Sequence, residues 1–221
     1  MPRANRYLLP ARTYHLTHRC HNRSFLLRFA KDRTEYRRRL RLALQQFDVT
    51  LLTYCITSNH THLLVRAGER EIVSALMQKL EGEFAEFYNL RKKRSGAFWS
   101  GRYHGSMIDD DTYLRRCMSY IDLNMFRAGV VAHPRDWAWC EYSELMGLRQ
   151  RCCLVSLNHA MSEYEAESVA AFRERYEAAI TDRIANRRFN REREWTESIA
   201  VGSEAFVRRV ESETRKARAI G

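Results

Sequence analysis

The pattern of hydrophobic and polar residues predicts alternating strands and helices over the first 126 residues. Alternation with a period of two is typical of half-buried strands, whereas apolar residues three or four positions apart indicate helices. Asp109 to Asp111 supply an N-cap and first-turn acids for a helix that runs to about Phe126. The predicted elements are a strand at 13–20, a helix at 32–47, strands at 49–57 and 60–65, a helix at 71–91, an extended segment at 97–108 and the helix that ends near Phe126.

This order of elements, β-α-β-β-α-β followed by a helix, is the split β-α-β arrangement of the ferredoxin-like fold. We therefore expect an α+β protein in which one antiparallel sheet is backed by helices. Residues 1–150 are predicted to form this core domain. Residues 151–221 are predicted to form a helical C-terminal extension packed on the core, with helices at 168–184 and 203–219.

The 221-residue chain carries a formal net charge of +11, and its basic residues are concentrated near the start. Residues 1–41 contain 12 Lys or Arg residues against 2 Asp or Glu residues, and a second basic cluster follows at 91–94. Because arginine binds phosphate in a bidentate manner, nucleic acid is the favoured partner. A solvated basic face on an ordinary enzyme would give the same composition.

The sequence gives no sign of export or of membrane insertion. No apolar stretch approaches the roughly 18 residues that a membrane helix needs, and the first residues lack the apolar core of a signal peptide. The six cysteines include no C-x-x-C pair and are too dilute for a disulfide framework. We expect a soluble cytoplasmic protein with reduced cysteines.

The histidine pair at positions 60 and 62 is the strongest sign of chemistry in the chain. Because side chains two residues apart on a strand point to the same face, both imidazoles can bind one divalent cation. On the predicted helix that follows, Tyr120 and Asn124 lie about one turn apart and share a face. Asn124 would offer an amide oxygen as a third metal ligand, and Tyr120 would offer a phenolic hydroxyl.

This combination of residues suits the cleavage of a phosphodiester. A cation held by two imidazoles and an amide polarises the non-bridging oxygens and neutralises developing charge. Tyrosine has a pKa of about 10, and nearby positive charge favours its phenolate. In-line attack by the phenolate leaves a covalent tyrosyl phosphate, and a second DNA end can reverse the step because the bond energy is retained.

Each of these residues also has an ordinary structural explanation. An H-x-H pair often arises by chance, a single tyrosine is more often packed in a core, and Asn124 can cap the C-terminus of a helix. Four further histidines could contact phosphate, lie next to a metal site or be hydrogen-bonded structural residues, and the sequence does not choose among these roles. The four histidines are His15, His18, His21 and His104.

Four ordered motifs resemble those of one known family. Residues 57–65 resemble the His-hydrophobic-His motif of single-tyrosine (HUH) transposases. Residues 120–131 resemble their tyrosine helix, in the form found in the REP-associated tyrosine transposases of bacteria. Residues 98–103 and 139–143 are also similar to that group, and the resemblance extends over about residues 6–150.

The resemblance implies a nuclease domain at 1–150, with Tyr120 as the nucleophile and His60, His62 and Asn124 as metal ligands. It implies Mg²⁺ or Mn²⁺ as the cofactor, and single-stranded DNA folded into REP-like hairpins as the partner. The expected function is that of a metal-dependent transposase and endonuclease that cleaves and rejoins strands through a covalent phosphotyrosine. We expect such a protein to act at the bacterial nucleoid as a monomer or a homodimer.

The basic residues supply candidate contacts with DNA, and unpaired bases can stack on aromatic rings that follow the 91–94 cluster. The predicted contacts are Arg3, Arg6, Arg12, Arg91, Lys92, Lys93, Arg94, Phe98, Trp99 and Arg102. Two other functions remain open at this point. One is a DNA-hairpin-binding protein without catalytic activity, and the other is a metal-dependent phosphodiesterase that uses activated water.

Overall fold

The computed structural model describes residues 8–186 and 190–220, which form a mixed α+β structure. Its strands are β1 (Arg12–Arg19), β2 (Val49–Ile56), β3 (His60–Ala67), β4 (His104–Ile108) and β5 (Ala200–Val201). In this part of the chain they form one five-stranded sheet in the order β2-β3-β1-β4-β5. The first four strands pair antiparallel, and β5 joins β4 in parallel. The predicted fold class, an antiparallel sheet backed by helices, is confirmed.

Helices cover both faces of this sheet. They are α1 (Ala30–Leu44), α2 (Arg70–Lys92), α3 (Thr112–Asp122), α4 (Asn124–Arg127), α5 (Tyr142–Leu145), α6 (Leu157–Glu163), α7 (Val169–Ala185), α8 (Glu194–Glu197) and α9 (Glu204–Ile220). Residues of α1, α2 and α9 share one core with Leu63 and Val65 of β3. Residues of α3, α7 and α8 share a second core with Leu64 of the same strand. Strand β3 is therefore apolar on both faces, because both are covered.

The predicted extended segment at 97–108 is a strand only from His104 onward. Residues 97–103 form a loop with a turn at Gly101, whose φ of +71° lies in the left-handed region that glycine adopts readily. The loop stays close to the end of β1, since the amide of Ser100 donates to the carbonyl of Arg19 at 2.8 Å. The loop at 97–103 thereby reaches the candidate site.

The last predicted helix of the core begins later than expected and is interrupted. Asp109 accepts hydrogen bonds from the amide and the hydroxyl of Ser203, at 2.9 and 2.8 Å. Asp111 has a φ of +56°, so the three aspartates form a turn instead of the first helical turn. The backbone leaves the helical region again at Leu123, where ψ is 4°, and this break separates α3 from α4.

The segment after residue 151 contains helices close to the two predicted ones, but it also contributes to the core. Strand β5 is only two residues long, too short to show an alternating pattern. Trp195 of α8 is fully buried in the core beneath α3 and α7. The division into a core domain and a helical extension stays a prediction. Among the described residues, no helix is long and apolar enough to span a lipid bilayer.

Candidate active site

His60 and His62 lie on one face of β3, at the start of the strand. In the register of the sheet, His60 is opposite Arg19 and His62 is opposite Thr17. The two imidazole centroids are 4.8 Å apart, with the ring planes at 76°. His62 is buried and His60 is half-buried, so the pair lies at the boundary between the core and an opening to solvent.

Neighbouring side chains determine which ring nitrogen of His60 carries the proton. The amide of Asn59 donates from Nδ2 to the carbonyl of Arg23 at 3.2 Å, which turns Asn59 Oδ1 toward His60 Nδ1 at 2.7 Å. Because an amide oxygen only accepts, Nδ1 of His60 carries the proton and Nε2 carries the lone pair. Thr57 Oγ1 lies 2.9 Å from the same Nδ1. His60 thus presents the unprotonated nitrogen that a metal requires.

Asn124 contacts His62 just beyond the interruption at Leu123. The first residue of α4 is Asn124, and its Nδ2 lies 2.9 Å from His62 Nε2. Rotation of the amide would bring Oδ1 to this position, so the same side chain can act as a hydrogen-bond donor or as an oxygen ligand. The structure therefore brings together the three residues that the sequence predicted as metal ligands.

Burial keeps both imidazoles uncharged. It lowers the pKa of His60 to about 3 and the pKa of His62 well below its usual value, and Arg19 and Arg127 act in the same direction. Neutral imidazoles and an amide oxygen are donors that suit a divalent cation. The three residues fit a divalent metal ion.

Tyr120 lies on α3 with 2 % of its surface exposed, in contact with the histidines. Its ring centroid is 6.2 Å from that of His62 and 6.2 Å from that of His15. On its other side the ring of Trp195 lies at 6.0 Å. The predicted nucleophile and the predicted ligands therefore share one site.

A cation also faces Tyr120. The guanidinium of Arg127 lies over its ring, 4.3 Å from the centroid. Burial raises the pKa of Tyr120, while Arg127 and Arg191 act in the opposite direction. The expected influence of positive charge is present, but burial has the larger effect and the phenol is protonated at neutral pH.

A cavity of about 290 Å³ opens beside the histidine pair. Its wall carries the arginines Arg19, Arg23, Arg102 and Arg191. Glu197 also lines the cavity and forms an ion pair with Arg191 at 3.0 Å. Four guanidinium groups beside neutral imidazoles form an environment that attracts a phosphodiester.

Two of the predicted DNA contacts fall at opposite ends of the sheet. Arg102 lies in the wall of the cavity. Arg12 lies at the far end of β1, about 23 Å along the strand from Arg19 at about 3.3 Å per residue, and forms an ion pair with Glu213 at 3.1 Å. Arg3 and Arg6 lie outside the described residues.

The basic cluster at 91–94 is partly occupied by structural contacts. Arg91 forms an ion pair with the fully buried Asp32. Arg94 donates to the carbonyl of Ala97 at 2.8 Å, within the turn after α2. Lys92 Nζ lies 4.9 Å from the ring centroid of Phe29, and the left-handed backbone of Lys93 (φ +48°) ends the helix. Binding of DNA by this cluster stays a prediction.

The rings of Phe98 and Trp99 are buried, with 2 % and 8 % of their surfaces exposed. Phe98 packs edge-on against Phe84 with the centroids 5.2 Å apart, and Trp99 stacks on His18 at 4.4 Å. In this structure their faces are covered by protein, so the predicted stacking of bases on these rings has no open surface.

Several residues of the site were not predicted from the sequence. Arg19 lies directly across from His60 in the pairing of β1 with β3, so the two side chains are on the same face of the sheet. The alternation at 13–20 indicates this face only once the strand pairing is known. Arg23 reaches the site through a turn, since Asn22 and Arg23 both have positive φ. Arg127 and Trp195 approach from α4 and α8, and no local pattern indicates this.

A second group of possible metal donors lies behind the site. Asp122, Cys140 and Glu141 are buried and each offers a donor atom within 4.8 Å of the others. The hydroxyl of Tyr176 donates to Asp122 and lies 3.3 Å from Glu141 Oε1. Burial raises the pKa of Asp122 to about 6 and the pKa of Glu141 well above its usual value. In the absence of a metal, these carboxyls form a pair that retains protons.

Because these two carboxyls retain protons in the folded protein, we expect the free energy of unfolding to fall as pH rises. Above about pH 4 the unfolded chain releases protons that folded Asp122 and Glu141 retain, so the free energy of unfolding decreases as pH rises until the folded acids also ionise, which for Asp122 is at about pH 6. Glu141→Gln removes one of these acids, so its free energy of unfolding should fall less between pH 5 and pH 8 than that of the unmodified protein. Urea unfolding at both values tests this. The exposed Glu174→Gln is the control, and equal pH slopes for all three proteins would contradict the prediction.

A ferredoxin-like sheet that presents an H-x-H pair next to a helix-borne tyrosine defines the class of single-tyrosine transposases. The chain belongs to the IS200-like transposase family, whose family model matches residues 10–124. The resemblance found in the sequence is confirmed. No curated protein matches the chain in sequence.

Two solved structures are similar to this chain. One is a REP-associated tyrosine transposase bound to a REP hairpin, with 17 % sequence identity and a TM-score of 0.58. The match covers 71 % of this chain and 90 % of that one, and it shows the common fold. The other is a proposed transposase from Deinococcus radiodurans R1, with 15 % identity, a TM-score of 0.39 and coverage of 57 % and 95 % of the two chains.

Proposed function

We propose that this transposase cleaves and rejoins single-stranded DNA at hairpin-forming, REP-like sequences through a covalent phosphotyrosine at Tyr120. His60, His62 and Asn124 would hold Mg²⁺ or Mn²⁺ beside the scissile phosphate. The observation that carries the proposal is the convergence of β3, α3 and α4. His62 Nε2 lies 2.9 Å from Asn124 Nδ2, and the His62 ring lies 6.2 Å from that of Tyr120.

Two further observations support DNA as the substrate. The wall of the adjoining cavity is lined by four arginines. The protein with the same fold and a TM-score of 0.58 is bound to a REP hairpin. The arginines favour a phosphodiester substrate, and the protein of the same fold favours one that carries a hairpin.

The proposed reaction is an in-line displacement at phosphorus. When bound, the metal would polarise the non-bridging oxygens of the scissile phosphate. The proton of Tyr120 passes to water and its Oη forms a bond with phosphorus, while the bond from phosphorus to the leaving strand breaks and the leaving oxygen takes up a proton from water. Arg19 and Arg102 hold the flanking phosphates, and Arg127 stabilises the phenolate. Attack by the hydroxyl of another strand reverses the step.

A denaturing-gel assay with labelled single-stranded hairpin DNA and Mn²⁺ tests the proposal. A covalent protein–DNA band that a chelator abolishes is the expected result. Cleavage without an adduct would favour a phosphodiesterase that uses activated water. Binding of several hairpins without cleavage would favour a hairpin-binding protein without catalytic activity.

An exposed aromatic loop next to the site offers a surface for unpaired bases. Phe25 is 63 % exposed, in the loop between β1 and α1. This loop is held beside the histidines, because the amide of Leu27 donates to the carbonyl of Ser58 at 2.9 Å. Arg23 in the same loop lines the cavity. An exposed ring next to cationic groups is typical of surfaces on which single-stranded bases stack.

We therefore expect Phe25→Ala to weaken the binding of single-stranded DNA by about 5- to 100-fold, because one stacked base contributes about 1–3 kcal/mol. Phe25→Trp should retain the affinity. Fluorescence anisotropy with a hairpin that carries a single-stranded flank measures both variants. Leu148→Ala, at a residue that is 65 % exposed, is the matched control. Equal affinities for Phe25→Ala and this control would exclude the stacking role.

A further inference from the structure

A chain of three hydrogen-bond contacts connects the C-terminal segment to the predicted metal ligands. Nδ1 of His15 lies 2.9 Å from the carbonyl oxygen of Trp195. Nε2 of His15 lies 2.8 Å from Nδ1 of His62. Nε2 of His62 lies 2.9 Å from the amide of Asn124. His15 is fully buried and His62 is 2 % exposed, so water does not compete for these contacts.

The direction of each proton follows from the first contact. A carbonyl oxygen only accepts, so Nδ1 of His15 carries a proton. In a neutral imidazole the other nitrogen then carries the lone pair, and Nε2 of His15 accepts from Nδ1 of His62. His62 is left with its lone pair on Nε2, which points toward Asn124. The full burial of His15 favours the neutral ring, because a buried charge is costly.

We propose that His15 is a positioning residue that fixes the tautomer and the ring orientation of His62 for metal binding, with the carbonyl of Trp195 as its anchor. Without this arrangement His62 is free to place its proton on Nε2, which would turn an N–H toward the cation. Partners of this kind fix the orientation of metal-bound histidines in general, and their loss typically weakens metal affinity by about 10- to 100-fold. The inference rests on the metal site of the proposed function.

His15 differs from the other histidines of the same sheet face. His104 also contacts the C-terminal segment, since its Nε2 donates to the carbonyl of Ser198 at 3.1 Å, but the other partner of this nitrogen is Ser106 and not a predicted ligand. His104→Leu therefore disturbs the contact with the same segment while the partner of His62 remains. It is the matched control for His15→Leu.

Titration with Mn²⁺, followed by the loss of its electron paramagnetic resonance signal on binding, tests the role. We expect His15→Leu to bind Mn²⁺ about 10- to 100-fold more weakly than the unmodified protein, His15→Gln to recover part of this loss, and His104→Leu to bind within about threefold. Circular dichroism establishes that each variant is folded. Unchanged affinity in folded His15→Leu would overturn the role of His15 alone. Absence of Mn²⁺ binding to the unmodified protein would overturn the proposed metal site together with it.

A second measurement needs no variant that could fail to fold. Long-range ¹H–¹⁵N correlation spectra of the metal-free, unmodified protein report which ring nitrogen of each histidine is protonated. We expect the Nδ1–H form for both His15 and His62, with the signals assigned through correlations between each ring and its own backbone in the unmodified protein. An Nε2–H form of His62 would overturn the proposal, whatever the metal affinities are.

Discussion

Tyr120→Phe is expected to abolish the covalent protein–DNA adduct and to reduce strand cleavage by roughly 10³-fold or more, because the nucleophilic oxygen is lost. The substitution leaves the ring in place. The packing against His62 and the contact with the Arg127 guanidinium, 4.3 Å from the ring centroid, need only the aromatic face. Binding of hairpin DNA should therefore be retained, and the free energy of unfolding should change by less than about 1 kcal/mol.

The matched control is Tyr113→Phe, at a tyrosine on the same helix that is half-buried and contacts Arg116, not the histidines. Single-turnover cleavage of labelled hairpin DNA, resolved on a denaturing gel, compares the two variants. Cleavage that persists in Tyr120→Phe at a rate similar to that of Tyr113→Phe would exclude a tyrosine nucleophile and favour water. Loss of binding in Tyr120→Phe would indicate a structural role for the hydroxyl.

His60→Ala and His62→Ala are expected to weaken Mn²⁺ binding by about 100-fold or more and to reduce cleavage in parallel, because each removes one metal ligand. The two variants should differ in stability. His60 lies at the edge of the cavity, so His60→Ala should lower the free energy of unfolding only slightly. His62 is 2 % exposed and its Nδ1 is the partner of His15, so His62→Ala leaves a buried nitrogen unpaired and should destabilise the fold by about 2–4 kcal/mol.

Isothermal titration calorimetry with Mn²⁺ and urea unfolding separate these two effects. The exposed His159, on α6, provides the control substitution His159→Ala. A chelator should reduce cleavage by the unmodified protein as much as either histidine substitution does. Full cleavage by folded His60→Ala in the presence of a chelator would show that the reaction does not depend on a metal bound by this pair.

The part of the site that the sequence predicted consists of residues related by local geometry. The common face of His60 and His62 follows from the two-residue period of a strand, and the approach of Tyr120 and Asn124 follows from their spacing and from the way a helix packs on a sheet. The interruption at Leu123 was not predicted. Asn124 nevertheless lies close to the site, because the chain continues into the helical turn of α4.

The parts that the sequence did not predict depend on tertiary packing. Phe98 and Trp99 follow a basic, glycine-containing stretch and so were predicted to face DNA, but the turn at Gly101 folds them onto α2. Arg91 was predicted to bind phosphate, which stays a prediction, but the sequence did not indicate that the buried carboxylate of Asp32 pairs with it. Trp195 belongs to a segment of neutral charge with no motif, and only the sheet brings it to His15.

The contact between the Trp195 carbonyl and His15 joins residues that are 180 positions apart in sequence. During translation, the histidine pair and Tyr120 leave the ribosome well before Trp195 does. A nascent chain that already carries every candidate catalytic side chain therefore still lacks the carbonyl that orients His15. The complete arrangement around the tyrosine therefore forms only after Trp195 has been synthesised, and we expect its closure to be slow because contacts across long sequence separations cost more loop entropy.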